Sequence, residues 1–303
     1  MTIVAALEAL DLRIKTLLPE EYRDRYENVQ STPMGSAALK YDAGGQVAWD
    51  QIWGSFCDLA MAGGPPHKGK LLEPGTQAAI DADFDRYDEV AEEICRGIRL
   101  ATGLRAYVAP DPGWVSVTCH GDAMAGWLVR AIVMENVAAR RRGAILEVPA
   151  APHFRLEKEI KNVITVVAKT SHYWLRHIPD DQQRAIAELF TTMLAESPLL
   201  EPDLSSGDSK KSRDLAARIA AQIQRTSNLQ ESTRRYVGWV GVECSSVGVA
   251  VWMMRALVAT NVLARREETT LFVPVNSASD PRGAIVAAAV ARVHQCAVTR
   301  GVS

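Results

Sequence analysis

Residues 113–150 read GWVSVTCHGDAMAGWLVRAIVMENVAARRRGAILEVPA, and residues 238–275 read GWVGVECSSVGVAVWMMRALVATNVLARREETTLFVPV. Adding 125 to each position aligns the two without a gap, and 18 of 38 positions are identical. Composition alone does not supply that agreement, so the chain reads as an internal duplication. Working outward, Leu71-Leu72-Glu73-Pro74 recurs as Leu199-Leu200-Glu201-Pro202, and Ala91, Ile94, Ile98 and Leu104 recur at the same offset as Ala216, Ile219, Ile223 and Leu229. The division that follows is an N-terminal helix and connector (1–45), a first copy (46–178) that bears the site, and a second copy (179–303).

Each copy shows the pattern helix, loop, helix, strand, helix, strand, helix. Apolar residues at i, i+3 and i+4 predict helices over Val47–Ala62, Phe84–Thr102 and Ala123–Arg141, a long one over Arg155–His177, and their counterparts at Asp181–Ala195 and Arg213–Leu229. Short β-rich runs predict strands at Arg105–Ala109, Trp114–Cys119 and Ala144–Val148. The arginine clusters at 140–142 and 265–266 fall where cations complement a helix C-terminus. A strand, a helix and a strand in succession ordinarily make a right-handed crossover between parallel strands. The expected fold is therefore α/β: two similar units related by a pseudo-two-fold, with a parallel or mixed sheet flanked by helices.

The helix at 123–141 is apolar nearly all round, so the polar residues it holds, Arg130, Glu135 and Asn136, must find partners. Charged residues make up 23% of the chain and the net charge is −2, so no overall field draws nucleic acid or an acidic membrane. No apolar run is long enough to span a bilayer. Five widely spaced cysteines form no CxxC or zinc-ribbon pattern and read as reduced thiols. The first residues lack the basic and small-residue features of a secretory leader, so a cytoplasmic location is expected. Val4, Leu7, Leu10, Ile14 and Leu17 make that segment an amphipathic helix packed on the body.

Differences between copies point to chemistry. His120, Asp122, Glu135, His153, Glu157 and Lys158 become Ser245, Val247, Thr260, Ala278, Arg282 and Gly283. In a parallel sheet, ligands bind beyond the carboxyl ends of strands, which places His120 and His153 at one edge. His120 as acid or base, with Asp122 or Glu157 orienting it or taking a second proton, His153 beside them, and Cys119 as a thiolate nucleophile make the candidate catalytic set. Cys244 keeps the cysteine without the histidine, which favours a packed thiol.

The loop Gly63–Gly69 has no counterpart of its length in the second copy. Its His67 and Lys68, with Lys70 and Lys158, are the candidate anion contacts. Gly64–Lys70 fits GxxxxGK in form only, since Pro65-Pro66 removes N–H donors and Leu71 stands where Ser or Thr belongs. Cys119, His120, Asp122 and His153 are metal-ligating residue types without a ligand spacing, so no metal is assigned, and no motif specifies a cofactor. The leading expectation is an enzyme acting on a small anionic metabolite. The alternative is a non-catalytic metal-binding, cofactor-binding or assembly protein using a cleft between the copies, with a homo-oligomer left open.

Overall fold

Asn136 and Asn261 occupy equivalent places in the two copies, and both take a left-handed backbone, with φ 60° and 66°. Asparagine tolerates that conformation better than most residues, and one such residue ends a helix. The structure is a computed structural model describing residues 2–23, 38–51, 70–204 and 209–301. In it the helices before the two asparagines run Asp122–Met134 and Val247–Val258. The first therefore closes well short of Arg141, where the apolar pattern carries it.

The residues released from the helix ends become strands. The first copy holds β1 (Ala106–Val108), β2 (Trp114–Thr118), β3 (Arg140–Arg142) and β4 (Ile145–Pro149). The second holds β5 (Gln230–Glu231), β6 (Trp239–Glu243), β7 (Arg265–Glu267) and β8 (Thr270–Pro274). They form two four-stranded sheets, ordered β1-β2-β4-β3 and β5-β6-β8-β7, in which every neighbouring pair is antiparallel. Registers agree at the constant offset: Trp114 faces Pro149 as Trp239 faces Pro274, and Arg140 faces Glu147 as Arg265 faces Phe272.

These sheets overturn the expected parallel or mixed α/β sheet, and the molecule is more than half helical. The crossover from β2 through its helix does deliver a strand running the same way as β2, but that strand is β3. A tight hairpin then turns the chain back, with Gly143 and Glu268 in the left-handed region at φ 59° and 55°, and β4 is laid between β2 and β3. The arginine clusters therefore do not cap helices. They lie on sheet edges, where charged side chains discourage pairing with a further strand.

Other elements fall close to their predicted spans. Helices occupy Ile3–Leu17, Phe84–Thr102, Asp180–Glu196, Lys210–Ser227 and Ala284–Arg300. The long helix after β4 is continuous from Leu156 to His177, but its ends, Leu156–Ile160 and Tyr173–His177, are π-helical around an α-helical Lys161–His172. The recurring Leu-Leu-Glu-Pro segments each form a parallel bridge, Leu72 with Val137 and Leu200 with Val262. Gly113 is required at its turn. Its φ is 86°, and a Cβ there would stand 2.6 Å from the Gly75 carbonyl oxygen.

The chain divides into two compact units, Gln30–Gln183 and Met1–Val29 with Arg184–Ser303. In the first, helix Lys161–His172 packs on Phe84–Thr102 and on Asp122–Met134. In the second, helix Ala284–Arg300 packs on Lys210–Ser227 and Val247–Val258, and the N-terminal helix buries Leu10, Ile14 and Leu17 against the same group. Arg13 to Glu196 and Arg300 to Asp11 ion pairs hold that helix in place. Most of the predicted helix Val47–Ala62, the loop Gly63–Gly69 and residues 205–208 lie outside the described residues. No helix among the described residues is long and apolar enough to cross a membrane.

Candidate functional site

The antiparallel register decides what the predicted site residues do together. Thr118 pairs with Ile145 at one end of β2 and Trp114 with Pro149 at the other. His120 follows the first end and His153 the second, so the strand ends they follow are separated by four residues of strand, about 13 Å. A parallel sheet would have put both on one edge; this sheet puts them at opposite edges. Glu157 and Lys158 follow His153, while Cys119 and Asp122 stay with His120.

Within the His120 group, His120 and Asp122 are exposed, and the His120 backbone N–H points at the Met124 sulfur, 3.4 Å away. Cys119 is buried, and burial pushes its thiol up to about 12, so it is protonated at neutral pH. Cys244 is pushed to the same value by the same cause. Nucleophilic cysteine needs a thiolate, and both cysteines are placed to pack rather than to attack.

Within the His153 group, the His153 ring is exposed and lies edge-on to Phe154, with centroids 5.1 Å apart. Glu157 and Lys158 are exposed on the first π-helical turn. Lys70 is exposed as well, and His67 and Lys68 lie outside the described residues. Among the described residues, no three His, Cys, Asp or Glu side chains form a group able to hold a metal.

The structure assembles charges elsewhere in the first unit. Glu135 finds its partner in Lys169, whose Nζ lies 2.7 Å from its carboxylate, with side chains only 5% and 3% exposed. Two charges so thoroughly removed from water need compensation, and each supplies it to the other. Their counterparts in the second copy are Thr260 and His294. Sequence reading required a partner for Glu135 but had no means of choosing Lys169, which sits inside an ordinary-looking helix.

A concave feature among the described residues of the first unit is a groove of about 270 Å³. Its walls are the Phe84–Thr102 helix, the Tyr41–Val47 turn, and Leu156 and Ile160 of the π-helical entry. From the helix come Arg86, Glu89, Glu93 and Arg96, whose spacing of i, i+3, i+7 and i+10 keeps them on one face. Glu93 takes hydrogen bonds from Arg96 and from the Trp49 indole at 2.8 Å, and Arg96 also donates to the Val47 carbonyl at 3.0 Å. Arg86 donates to the Phe154 carbonyl at 3.0 Å and pairs with Glu89 at 2.9 Å. That charged stripe was visible in sequence as a difference between copies, since Glu93 and Arg96 become Arg218 and Ala221.

In the second unit Lys211 stands in place of Arg86 and lines a smaller hollow of about 30 Å³ with Asp203, Ser209, Leu215 and Val275, but the counterparts of Glu89, Glu93 and Arg96 do not line it. No known protein family, curated protein or solved structure matches this chain. The groove and the buried pair therefore stand on their own geometry.

Proposed function

We propose that this protein binds a small anionic metabolite in the groove of its first unit. The observation that carries this reading is the groove itself, about 270 Å³ with two guanidinium groups in its wall. Arg86 is the natural anchor. Its partner Glu89 is 69% exposed, and an ion pair so open to water is worth about 0–1 kcal/mol, so a ligand carboxylate or phosphate can replace it at little cost. Arg96 is different, because Glu93, the Val47 carbonyl and partial burial hold it as part of the wall.

Binding is the reading because the groove wall offers a guanidinium anchor for an anion, whereas His120 and His153, the expected acid-base pair, follow opposite ends of the sheet. Calorimetric titration of the full chain with small carboxylates and phosphates tests the reading. Arg86→Gln is expected to weaken the best ligand about tenfold or more, the usual loss of a charge-assisted hydrogen bond. Lys211→Gln, in the second unit, is expected to leave it unchanged. If no compound binds, or if Arg86→Gln binds as tightly as the natural chain, the reading fails.

A further inference from the structure

The π-helical exit of the long helix places two histidines where an α-helix would not. In an α-helix, residues i and i+5 sit about 140° apart around the axis. Here the Ile178 N–H bonds the Tyr173 carbonyl five residues back, at 3.0 Å, and the widened turn brings His172 and His177 to one side. Their Nε2 atoms lie 3.1 Å apart. Both rings are half-buried, and Tyr173 stands edge-on to His177 with centroids 5.5 Å apart.

We propose that His172 and His177 form a binding site for a divalent late transition metal, independent of the groove. The two Nε2 atoms approach as a hydrogen-bonded pair, and a metal ion taking the place of the shared proton, which leaves to solvent or moves to Nδ1, would be held by both nitrogens. With metal–nitrogen bonds of about 2.0–2.1 Å, a separation of 3.1 Å gives a ligand–metal–ligand angle of about 100°, between the cis edge of a tetragonal ion and a tetrahedral edge.

No third His, Cys, Asp or Glu joins the pair among the described residues, so water or a small ligand completes the coordination sphere. A site of that kind is exchangeable rather than structural. The device belongs to one copy. At the offset of 125 the two histidines become Ala297 and Val302, and helix Ala284–Arg300 is α-helical throughout. π-Helical turns within α-helices concentrate at functional sites, which gives this departure from regular geometry a purpose.

The test uses the full chain stripped with EDTA and titrated with Cu²⁺ alone, read by electron paramagnetic resonance. Natural protein is expected to take one Cu²⁺ with hyperfine splitting from two nitrogens. His172→Ala and His177→Ala are each expected to lose that pattern and to weaken Cu²⁺ binding at least tenfold. Should either alanine variant fail to fold, His177→Gln keeps a hydrogen-bonding group while removing the imidazole, and its loss of the pattern supports the site equally. His120→Ala with His153→Ala, which removes two exposed imidazoles, is expected to retain it. Natural protein without a two-nitrogen spectrum, or His172 and His177 variants that keep it, would show the pair to be a hydrogen bond between rings and overturn the proposal.

Discussion

Arg140 and Arg265 begin equivalent edge strands, each beside an equivalent tryptophan, yet the two units satisfy the same cation by opposite means. Arg140 is 27% exposed; it pairs with Asp111 at 2.7 Å and Glu147 at 2.5 Å and lies over Trp114. At the offset of 125 those two carboxylates become Tyr236 and Phe272. Arg265, fully buried, has its guanidinium 4.2 Å from the Tyr236 ring centre, 3.9 Å from Phe272 and 5.2 Å from Trp239, with Glu267 supplying an ion pair at 2.8 Å. One unit holds its edge with two carboxylates, the exposed Asp111 and the buried Glu147, and the other has put aromatic rings in their places. The reverse exchange occurs inside the helices, where the first unit buries Glu135 and Lys169 and the second has Thr260 and His294. Equivalent backbones thus support opposite distributions of charge, and side-chain environment, rather than chain path, separates the units.

The buried pair offers the sharpest break of that comparison. Lys169→Met strands a desolvated carboxylate and is expected to cost about 3–5 kcal/mol in urea unfolding, whereas the double variant Glu135→Leu with Lys169→Met is expected to recover most of that loss. If the single and double variants are equally destabilised, the two charges are not coupled and the contrast with the second unit loses its meaning.

The edge arginines come next. Arg265→Gln removes a cation from three rings and places an amide among them, an expected loss of about 3 kcal/mol that added salt does not change. Arg140→Gln breaks an exposed pair with Asp111 and leaves the buried Glu147 only the more distant Arg142, an expected loss of about 1–3 kcal/mol whose Asp111 share shrinks in 0.5 M NaCl. Equal salt dependence of the two variants would erase the distinction.

The smallest effect concerns the entry to the long helix of the first unit. Burial would raise the Glu159 carboxyl, but hydrogen bonds from the Arg155 side chain and backbone outweigh it and bring the group to about 2. A carboxyl depressed on folding binds its proton more readily in the unfolded chain. Its stabilisation is therefore complete above the ordinary carboxylate range, near pH 4.5, and is lost as pH falls toward 2. Glu159→Gln is expected to flatten melting temperature against pH in that window by an amount corresponding to about 0.5–1 kcal/mol. The second unit has Ala284 at this position, so the equivalent substitution Ala284→Gln should leave the slope intact.

Much of the helical framework was legible because its signal is local. The apolar face of Phe84–Thr102 repeats within one turn, and its span in the structure is the span predicted. Asn136 also carried a readable signal, an asparagine kept in both copies at the end of an apolar helix, which fits a left-handed terminator better than a buried amide seeking partners. The strand Arg140–Arg142 was hidden by ambiguity, because three arginines after an apolar helix suit a helix terminus and a sheet edge equally. That three-residue segment controlled the candidate site. With it, β4 runs against β2, and His120 and His153 follow opposite edges; without it, they would have shared one.

The amino-acid sequence by itself determined the likeness of its two halves at an offset of 125, the spans of several helices, and the places where the halves differ chemically, since these follow from comparing neighbours a few positions apart or from overlaying one half on the other. Tertiary structure alone decided the direction of the sheets, the pairing of Glu135 with Lys169, the burial of Arg265 among rings, and the turn that joins His172 to His177. The first three of these depend on which distant groups are excluded from water together. Burial is a property of the assembled chain, and no short window of sequence contains it.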